Sequence, residues 1–187
     1  MIELIRSKEP RELARFRSGP NRHTWDDPGF RQVKSAVREA LLLCQEGHCA
    51  YCERRINDQE CHIDHVRPKA SFPAATFDFA NMVVSCNGPH HCGHKKHSQT
   101  IPLVPGPDVN RAFELRSDGR LAPASNPGGA SSADAKETLD TLGLNAPALA
   151  WDRAKYLGVL HSLLDNDPNP PIAEWPFRWT FGQYLRP

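Results

Sequence analysis

The 187 residues suffice for one domain with extensions, and the 39% of apolar residues allow a modest core. The 23 basic and 22 acidic residues nearly cancel, so any nucleic-acid surface must be a local basic patch. The amino-terminal residues contain no apolar signal core, and no stretch has the length of a membrane span. We therefore expect a cytoplasmic protein.

The amino-terminal part predicts two helices separated by a loop. Residues 9–17 are typical of a short helix, and residues 20–30 contain the prolines and glycine of a loop. From Phe30 onward, apolar residues recur every three or four positions as far as Cys44. This period predicts an amphipathic helix that ends near Glu46, because a glycine follows.

The central part predicts two short strands and a short helix. Runs of β-branched and aromatic residues favour strands within residues 60–66 and 76–86. The compact polar sequence CGHKKHSQ, residues 92–99, can begin a short helix.

The carboxy-terminal part begins with a predicted hairpin over residues 113–123, with Asp118 and Gly119 at its turn. Residues 126–132 have the composition of a flexible linker. Ser131 or Ser132 can then cap a helix that runs to about Leu142, where a glycine ends it.

A last predicted helix spans residues 147 to about 164. We expect five of its side chains to face inward: Leu149, Tyr156, Leu157, Leu160 and Leu164. The final twenty residues are rich in proline and aromatic residues, and we expect them to wrap over the surface.

Six cysteines fall within a span of 49 residues: Cys44, Cys49, Cys52, Cys61, Cys86 and Cys92. A reducing compartment argues against disulfides and favours metal ligands. The pair Cys49 and Cys52 has the two-residue gap of a zinc knuckle, and Cys86 with Cys92 supplies a second, wider pair. These four predict a structural Zn²⁺ site, and the alternative is four unrelated buried thiols. Cys44 is expected to pack in the helix stripe, whereas Cys61 is a spare thiol or a competing ligand.

The sequence HIDHVRPK, residues 62–69, concentrates polar groups at the end of a predicted strand. His62 and Asp64 share one strand face by alternation, which makes His62 a candidate for a third metal ligand. Asp64 and His65 point apart unless the strand ends there, which the following Arg67 and Pro68 permit. The alternative interpretation is a solvated polar strand end.

Five segments in this order carry a family resemblance: MIELIRSKEPREL, CAYCERRI, HIDHVRPKA, FANMVVSC and CGHKKHSQ. Together they resemble the HNH endonucleases, and more closely the retron- and Septu-associated, PtuB-type HNH nucleases of bacterial anti-phage defence. The resemblance covers roughly the first hundred residues, and TLDTLGLN adds a weaker similarity. It implies an α+β protein with a ββα-metal core that hydrolyses phosphodiester bonds.

The resemblance also implies roles for individual residues. His65 corresponds to the general base, and Asn81 to the residue that holds the base and the hairpin in place. Asp64 and His94 correspond to ligands of a catalytic Mg²⁺ or Mn²⁺ ion. Four basic residues are placed to contact phosphates: Arg67, Lys69, Lys95 and Lys96.

One position departs from the family pattern. Gly93 occupies the position directly after the cysteine, so His94 comes one residue later, a rotation of roughly 100° on a helix. His90, His91 and His97 are therefore alternative ligands.

The sequence thus predicts a metal-dependent HNH endonuclease, with DNA as its expected substrate and RNA as an alternative. It divides into an amino-terminal arm (1–28), a zinc-stabilised nuclease core (29–100) and a mainly helical extension with a hairpin (101–187). Family analogy implies a PtuA-type ATPase as partner, with residues 1–28 and 101–187 available as an interface. Two non-catalytic functions fit the same residues: a zinc-stabilised nucleic-acid-binding or adaptor subunit without turnover, and a degenerate HNH fold kept for protein contact.

Overall fold

The computed structural model describes residues 1–19, 24–126 and 129–185. Within them the chain forms six α-helices and two small antiparallel sheets, which confirms the predicted α+β class. The helices are α1 (Arg11–Arg17), α2 (Phe30–Cys44), α3 (Cys92–Lys96), α4 (Ser132–Leu142), α5 (Pro147–Leu164) and α6 (Arg178–Leu185). The strands are β1 (Cys61–His65), β2 (Met82–Cys86), β3 (Phe113–Leu115) and β4 (Leu121–Pro123). None of the helices in the described ranges combines the length and apolarity needed to cross a bilayer.

Helix α2 follows from the spacing of its apolar residues. Phe30, Val33, Val37 and Leu41 are all buried, as the period of three and four predicts. The helix ends at Cys44, slightly before the predicted end, and Gly47 then takes a positive φ of 69°.

The two faces of the β1–β2 hairpin have different surroundings. Antiparallel pairing sets His62 opposite Ser85, Asp64 opposite Val83, and His65 opposite Met82. One face packs against α1 and α2 in an apolar core that we call the α2-side core: Leu13, Phe30, Val33, Val37, Leu41, Cys61, Phe79, Met82 and Val84. His62 and Asp64 belong to the other face because side chains alternate along a strand.

The second core, the cysteine-side core, joins parts of the chain that are distant in sequence. It includes Met1 and Ile2, the four predicted zinc ligands, and apolar residues of α4, α5 and α6. The amino group of Met1 lies 2.9 Å from both Glu53 Oε1 and Asn110 Oδ1. All three predicted regions of the chain therefore contribute to one core.

The carboxy-terminal elements confirm several local signals. Ser131 caps α4 through a reciprocal pair with Asp134, and Gly143 ends the helix in the left-handed conformation. The turn between β3 and β4 passes close to α5, because a Cβ on Gly119 would lie only 1.9 Å from the Ala150 oxygen. In α5, Leu149, Leu157 and Leu160 are buried as predicted, and Tyr156 and Leu164 are half-buried.

The last twenty residues do not lie wholly on the surface as expected. Residues Arg178–Leu185 form α6, which buries Thr180 and Phe181. Two other predictions lie partly outside the described residues: the loop over residues 20–30 at positions 20–23, and the linker over 126–132 at positions 127–128.

Candidate metal centres and the end of strand β1

The four cysteines predicted to bind zinc come together in the structure. All four are buried, and their sulfur atoms lie within 4.8 Å of one another. The Sγ atoms of Cys52 and Cys86 are 3.7 Å apart. A tetrahedron with Zn–S bonds of about 2.3 Å has edges of about 3.8 Å, so the cluster fits this ion. The buried cluster therefore suggests a structural metal such as zinc.

Backbone and imidazole donors surround the sulfur atoms. The amide of Cys86 donates to Cys49 Sγ at 3.3 Å. His91 Nδ1 lies 3.2 Å from Cys92 Sγ and 3.6 Å from Cys86 Sγ. Such contacts stabilise thiolates and orient metal ligands. They place His91 beside the cysteine cluster and not among the catalytic candidates.

The ionisation of the buried thiols depends on a compensating charge. Burial raises the pKa of the Cys52 and Cys92 thiols, so both would keep their protons at neutral pH in the absence of a metal. Hydrogen bonds from the other three cysteines lower the pKa of Cys86. A zinc ion would displace the remaining thiol protons on binding to the cluster.

Three candidate ligands of the catalytic ion, His62, Asp64 and His94, lie next to Gly93 of α3. The rings of His62 and His94 have centroids 4.3 Å apart, and His62 Nδ1 is 3.0 Å from Asn87 Oδ1. A Cβ on Gly93 would lie 2.6 Å from His62 Nε2 and 3.2 Å from Asp64 Cγ. The absence of a side chain at position 93 thus makes room for His62. The donor atoms of these three residues are not grouped as tightly as the cysteine sulfurs.

Asp64 already has two partners on this face. The Tyr51 hydroxyl donates to Asp64 Oδ2 at 2.6 Å, and Lys96 Nζ lies 3.2 Å from the same oxygen. The ammonium group of Lys96 also donates to the carbonyls of His65 and His97, so three acceptors match its three N–H groups. The Lys96 side chain is 0% exposed and that of Asp64 is 13% exposed.

His65 lies on the opposite face of the strand end. Its Nε2 is 2.9 Å from the Thr76 carbonyl, and its ring packs edge-on against Trp25 with centroids 4.5 Å apart. A carbonyl only accepts, so Nε2 carries the proton and Nδ1 is the acceptor in the neutral ring. Burial lowers the pKa of His65, and the hydrogen bond to Thr76 opposes this effect.

Asn81 fixes the loop that follows β1. Its side chain accepts from the Arg67 amide at 2.8 Å and donates to the carbonyls of Arg67 and Ala75 at 2.9 and 3.1 Å. One buried amide therefore links the end of β1 to the loop preceding β2.

The four predicted phosphate contacts do not converge. Arg67 and Lys69 are exposed near the end of β1, with Lys69 Nζ 5.3 Å from the Trp25 ring centroid. Lys95 Nζ donates to the Asp140 carbonyl of α4, and Lys96 is buried. Lys96 was expected to contact phosphate, but Asp64 and two carbonyl groups hold its ammonium group inside the protein.

Three residues near these groups lacked any sequence signal for a role: Tyr51, Trp25 and Lys34. Tyr51 lies between the knuckle cysteines, where a hydrophobic packing role is the ordinary expectation. Trp25 and Lys34 are distant from HIDH in sequence, so only the folded chain places them beside it.

Comparison with known proteins agrees with the resemblance in the motifs. No family model matches the sequence. A protein of Vibrio cholerae serotype O1 biovar El Tor, named "Retron Vc95 putative HNH endonuclease", is 32% identical over 143 residues. That match covers 72% of this chain and 70% of the relative. Septu protein PtuB of Bacillus thuringiensis is 25% identical over 109 residues, covering 56% of this chain and 41% of that protein.

Proposed function

This chain belongs to the HNH endonuclease family of the retron Vc95 protein, and we propose that it is a metal-dependent nuclease with a ββα-metal core. The observation that carries the proposal is the arrangement at the end of β1. Asp64 lies on one face of the strand end, close to His62 and His94, and His65 lies on the opposite face. Asn81 fixes the loop that follows β1. DNA is the proposed substrate.

His65 is the proposed general base. Its Nε2–H is held by the Thr76 carbonyl, which leaves Nδ1 to accept a proton from the attacking water. Burial lowers the pKa of His65, so the ring is neutral at physiological pH and can accept a proton.

Asp64, His62 and His94 are the proposed ligands of a catalytic Mg²⁺ or Mn²⁺ ion. A carboxylate with imidazoles is a donor set that divalent metals accept, and water and phosphate oxygens can complete it. The ion would neutralise charge on the phosphate and support the leaving oxygen. Since Asp64 and His65 are adjacent at the strand end, one phosphodiester lying there is within reach of both faces.

The remaining residues have supporting roles in this proposal. Arg67 and Lys69 are exposed on the same loop and are the proposed phosphate contacts. Cys49, Cys52, Cys86 and Cys92 hold a structural zinc that fixes the knuckle to β2 and α3. Lys95 and Lys96 have no phosphate contact in this mechanism.

A matched pair of variants tests the proposal. Asp64→Ala removes a proposed ligand, so its lost activity should recover partly at high metal concentration by mass action. His65→Ala removes the proposed base, so added metal should not restore cleavage. The measurement is the initial rate on plasmid DNA and on RNA across a magnesium and manganese series, with His161→Ala, at an exposed histidine of α5, as the control. Equal recovery of both variants would identify His65 as a ligand and refute its role as base.

One observation favours a binding or adaptor subunit without turnover. The Lys96 ammonium lies 3.2 Å from the Asp64 carboxylate and can neutralise it without any divalent ion. If the wild-type protein binds nucleic acid but cleaves neither DNA nor RNA with either metal, this second function replaces the nuclease.

The proposed physiological setting is anti-phage defence with a PtuA-type ATPase as partner. The support is the similarity to Septu protein PtuB. Residues 1–28 and 101–187 lack the metal ligands, the base and the phosphate contacts named above, and they are the proposed interface. Co-purification of a tagged PtuA-type ATPase with the wild-type chain tests this, and failure to co-purify from cells expressing both would contradict it.

A further inference from the structure

The half-buried side chain of Trp25 connects the proposed base to two lysines. The ring contacts His65 edge-on at 4.5 Å between centroids and Phe30 at 4.9 Å. Lys34 Nζ lies 4.8 Å from the Trp25 centroid, and Lys69 Nζ lies 5.3 Å from it. One indole therefore holds two ammonium groups beside the imidazole of His65.

These two ammonium groups form a local concentration of positive charge. Among the ion pairs of the described residues, none joins Lys34 or Lys69 to a carboxylate. The pKa of Lys34 is lowered by burial first; Asp26 opposes this effect, while Lys69 and Arg31 add to it. Like charges gathered at one ring repel each other, and a bound anion would remove that penalty.

We propose that Trp25, Lys34 and Lys69 form a backbone clamp that binds nucleic-acid phosphates next to His65. The proposal deepens the proposed function, on which it rests, by adding Lys34 to its phosphate contacts and Trp25 as the residue that positions both lysines. Lys34 lies in α2 and Lys69 in the loop after β1, so the clamp binds the nucleic-acid backbone with residues from two parts of the fold. Its contacts are to phosphate, and it therefore gives affinity without sequence preference.

The indole acts as a support for the ammonium groups and not as a surface for stacking bases. Cation–π contacts hold both lysines near its ring, and the ring contacts with His65 and Phe30 hold the indole in place. The same contacts tie the position of the phosphates to that of the imidazole. A phosphodiester bound by the clamp is thereby brought to the proposed general base.

The salt dependence of nucleic-acid binding tests the clamp. Binding of a labelled DNA duplex is measured by fluorescence anisotropy at several salt concentrations, without added divalent ion. Lys34→Gln and Lys69→Gln should each lower the slope of log affinity against log salt by about 0.9, and the affinity roughly eightfold at 0.1 M salt. Lys34→Arg should keep both values near wild type because it keeps the charge.

A second lysine–tryptophan pair supplies the matched control. Lys155 Nζ lies 5.6 Å from the Trp151 ring on α5, away from the β1 hairpin. Lys155→Gln should leave affinity and slope unchanged. Trp25→Leu should weaken binding, whereas Trp151→Leu should not.

The outcomes separate the clamp from the nuclease. Wild-type cleavage with unchanged affinity and slope in the Lys34→Gln, Lys69→Gln double variant would overturn the clamp and leave the nuclease. Lysine-dependent binding without any cleavage would support the clamp and overturn the nuclease. A wild-type protein that neither binds nor cleaves nucleic acid would overturn both.

Discussion

Lys95 and Lys96 are adjacent in α3 yet lie in different environments. Lys95 is exposed and donates to the Asp140 carbonyl of α4, whereas Lys96 is fully buried and its ammonium group pairs with the Asp64 carboxylate. Consecutive helical residues differ by about 100° in direction, so one faces solvent and the other faces the hairpin. Replacing Lys96 should therefore reduce the stability of the fold more than replacing Lys95.

Replacing Lys96 with methionine should destabilise the protein by about 3 kcal/mol. The substitution leaves the Asp64 carboxylate without its cation and two carbonyls without their donor. The hydrogen bond from Tyr51 and the slight exposure of Asp64 keep the loss at the lower end of the usual range. Urea denaturation measures the change, with Lys95→Gln as a control expected to cost less than about 1 kcal/mol. Equal losses in the two variants would contradict the inward role of Lys96.

Gly93→Ala should impair the proposed catalytic ion site while preserving the fold. The new Cβ would lie 2.6 Å from His62 Nε2, so the flexible imidazole must move. We expect the metal concentration for half-maximal activity to rise roughly tenfold. Gly158→Ala, which meets no atom within 4 Å, is the control and should leave this concentration unchanged. A normal metal response of Gly93→Ala would argue against His62 as a ligand.

The residue types of the site could be predicted from sequence, but not all of their surroundings. HIDH and the cysteine spacing placed Asp64, His65 and the four thiols in candidate sites because those patterns are local. The burial of Lys96 and the position of Trp25 depend on how α3 and residues 24–29 pack on the hairpin. Such packing combines distant segments, and no short pattern encodes it.

At the scale of elements, the cysteine cluster joins the knuckle of residues 49–52 to β2 and α3. The hydrogen bond from the Cys86 amide to Cys49 Sγ fixes the same connection without metal. The strands of this hairpin are only five residues long, so an ion coordinated by the four cysteines would add order to this connection.

Cys52→Ser should abolish tight zinc binding and lower the melting temperature. It opens one of four positions in a buried cluster whose geometry fits zinc. Cys61→Ser is a suitable control, since Cys61 is also buried but lies in the α2-side core. Elemental analysis should find about one zinc per chain in the wild type and in the control. Metal-free, well-folded wild-type protein would refute the zinc site.

The predictability of elements follows the locality of their signals. Helices α2, α4 and α5 have an apolar period, a capping residue or an initial proline, and all three were predicted within a few residues. Helix α6 follows a proline-rich segment and contains Gly182, which oppose helix formation locally. Burial of Phe181 and bonds from Thr180 to Glu53 stabilise it, and these are tertiary contacts.

At the scale of the molecule, residues 48–55 connect the hairpin to the carboxy-terminal helices. Glu53 accepts from the amide and hydroxyl of Thr180, and Arg54 pairs with Asp152 of α5. His48 Nε2 lies 3.2 Å from the Trp175 carbonyl. The predicted division at residue 100 stays a prediction, but these contacts link both sides of it.

Arg153 of α5 links the carboxy-terminal elements through a buried charge. Its guanidinium group donates to the Gly119 carbonyl at 2.7 Å and to the Leu144 carbonyl, and it lies 5.7 Å from the Phe177 ring centroid. Burial lowers the pKa of Arg153, while electrostatic interactions with Cys52, Glu53 and Cys92 oppose that effect. A zinc ion bound by four thiolates would have a net charge of about −2, and Arg153 would then act as a compensating cation.

Arg153→Met should therefore destabilise the fold and also speed the release of zinc. Losing two charge-assisted hydrogen bonds to carbonyls predicts a cost of about 3 kcal/mol in urea denaturation. Losing the compensating cation predicts faster transfer of zinc to a chromogenic chelator, because the negative centre becomes less stable. Arg120→Met, at an exposed arginine beside the same β3–β4 turn, is the control and should alter neither quantity appreciably. If Arg153→Met loses stability but releases zinc at the wild-type rate, Arg153 acts only through the carbonyls of Gly119 and Leu144. If zinc release accelerates, the carboxy-terminal helices contribute directly to the electrostatic stability of the metal centre.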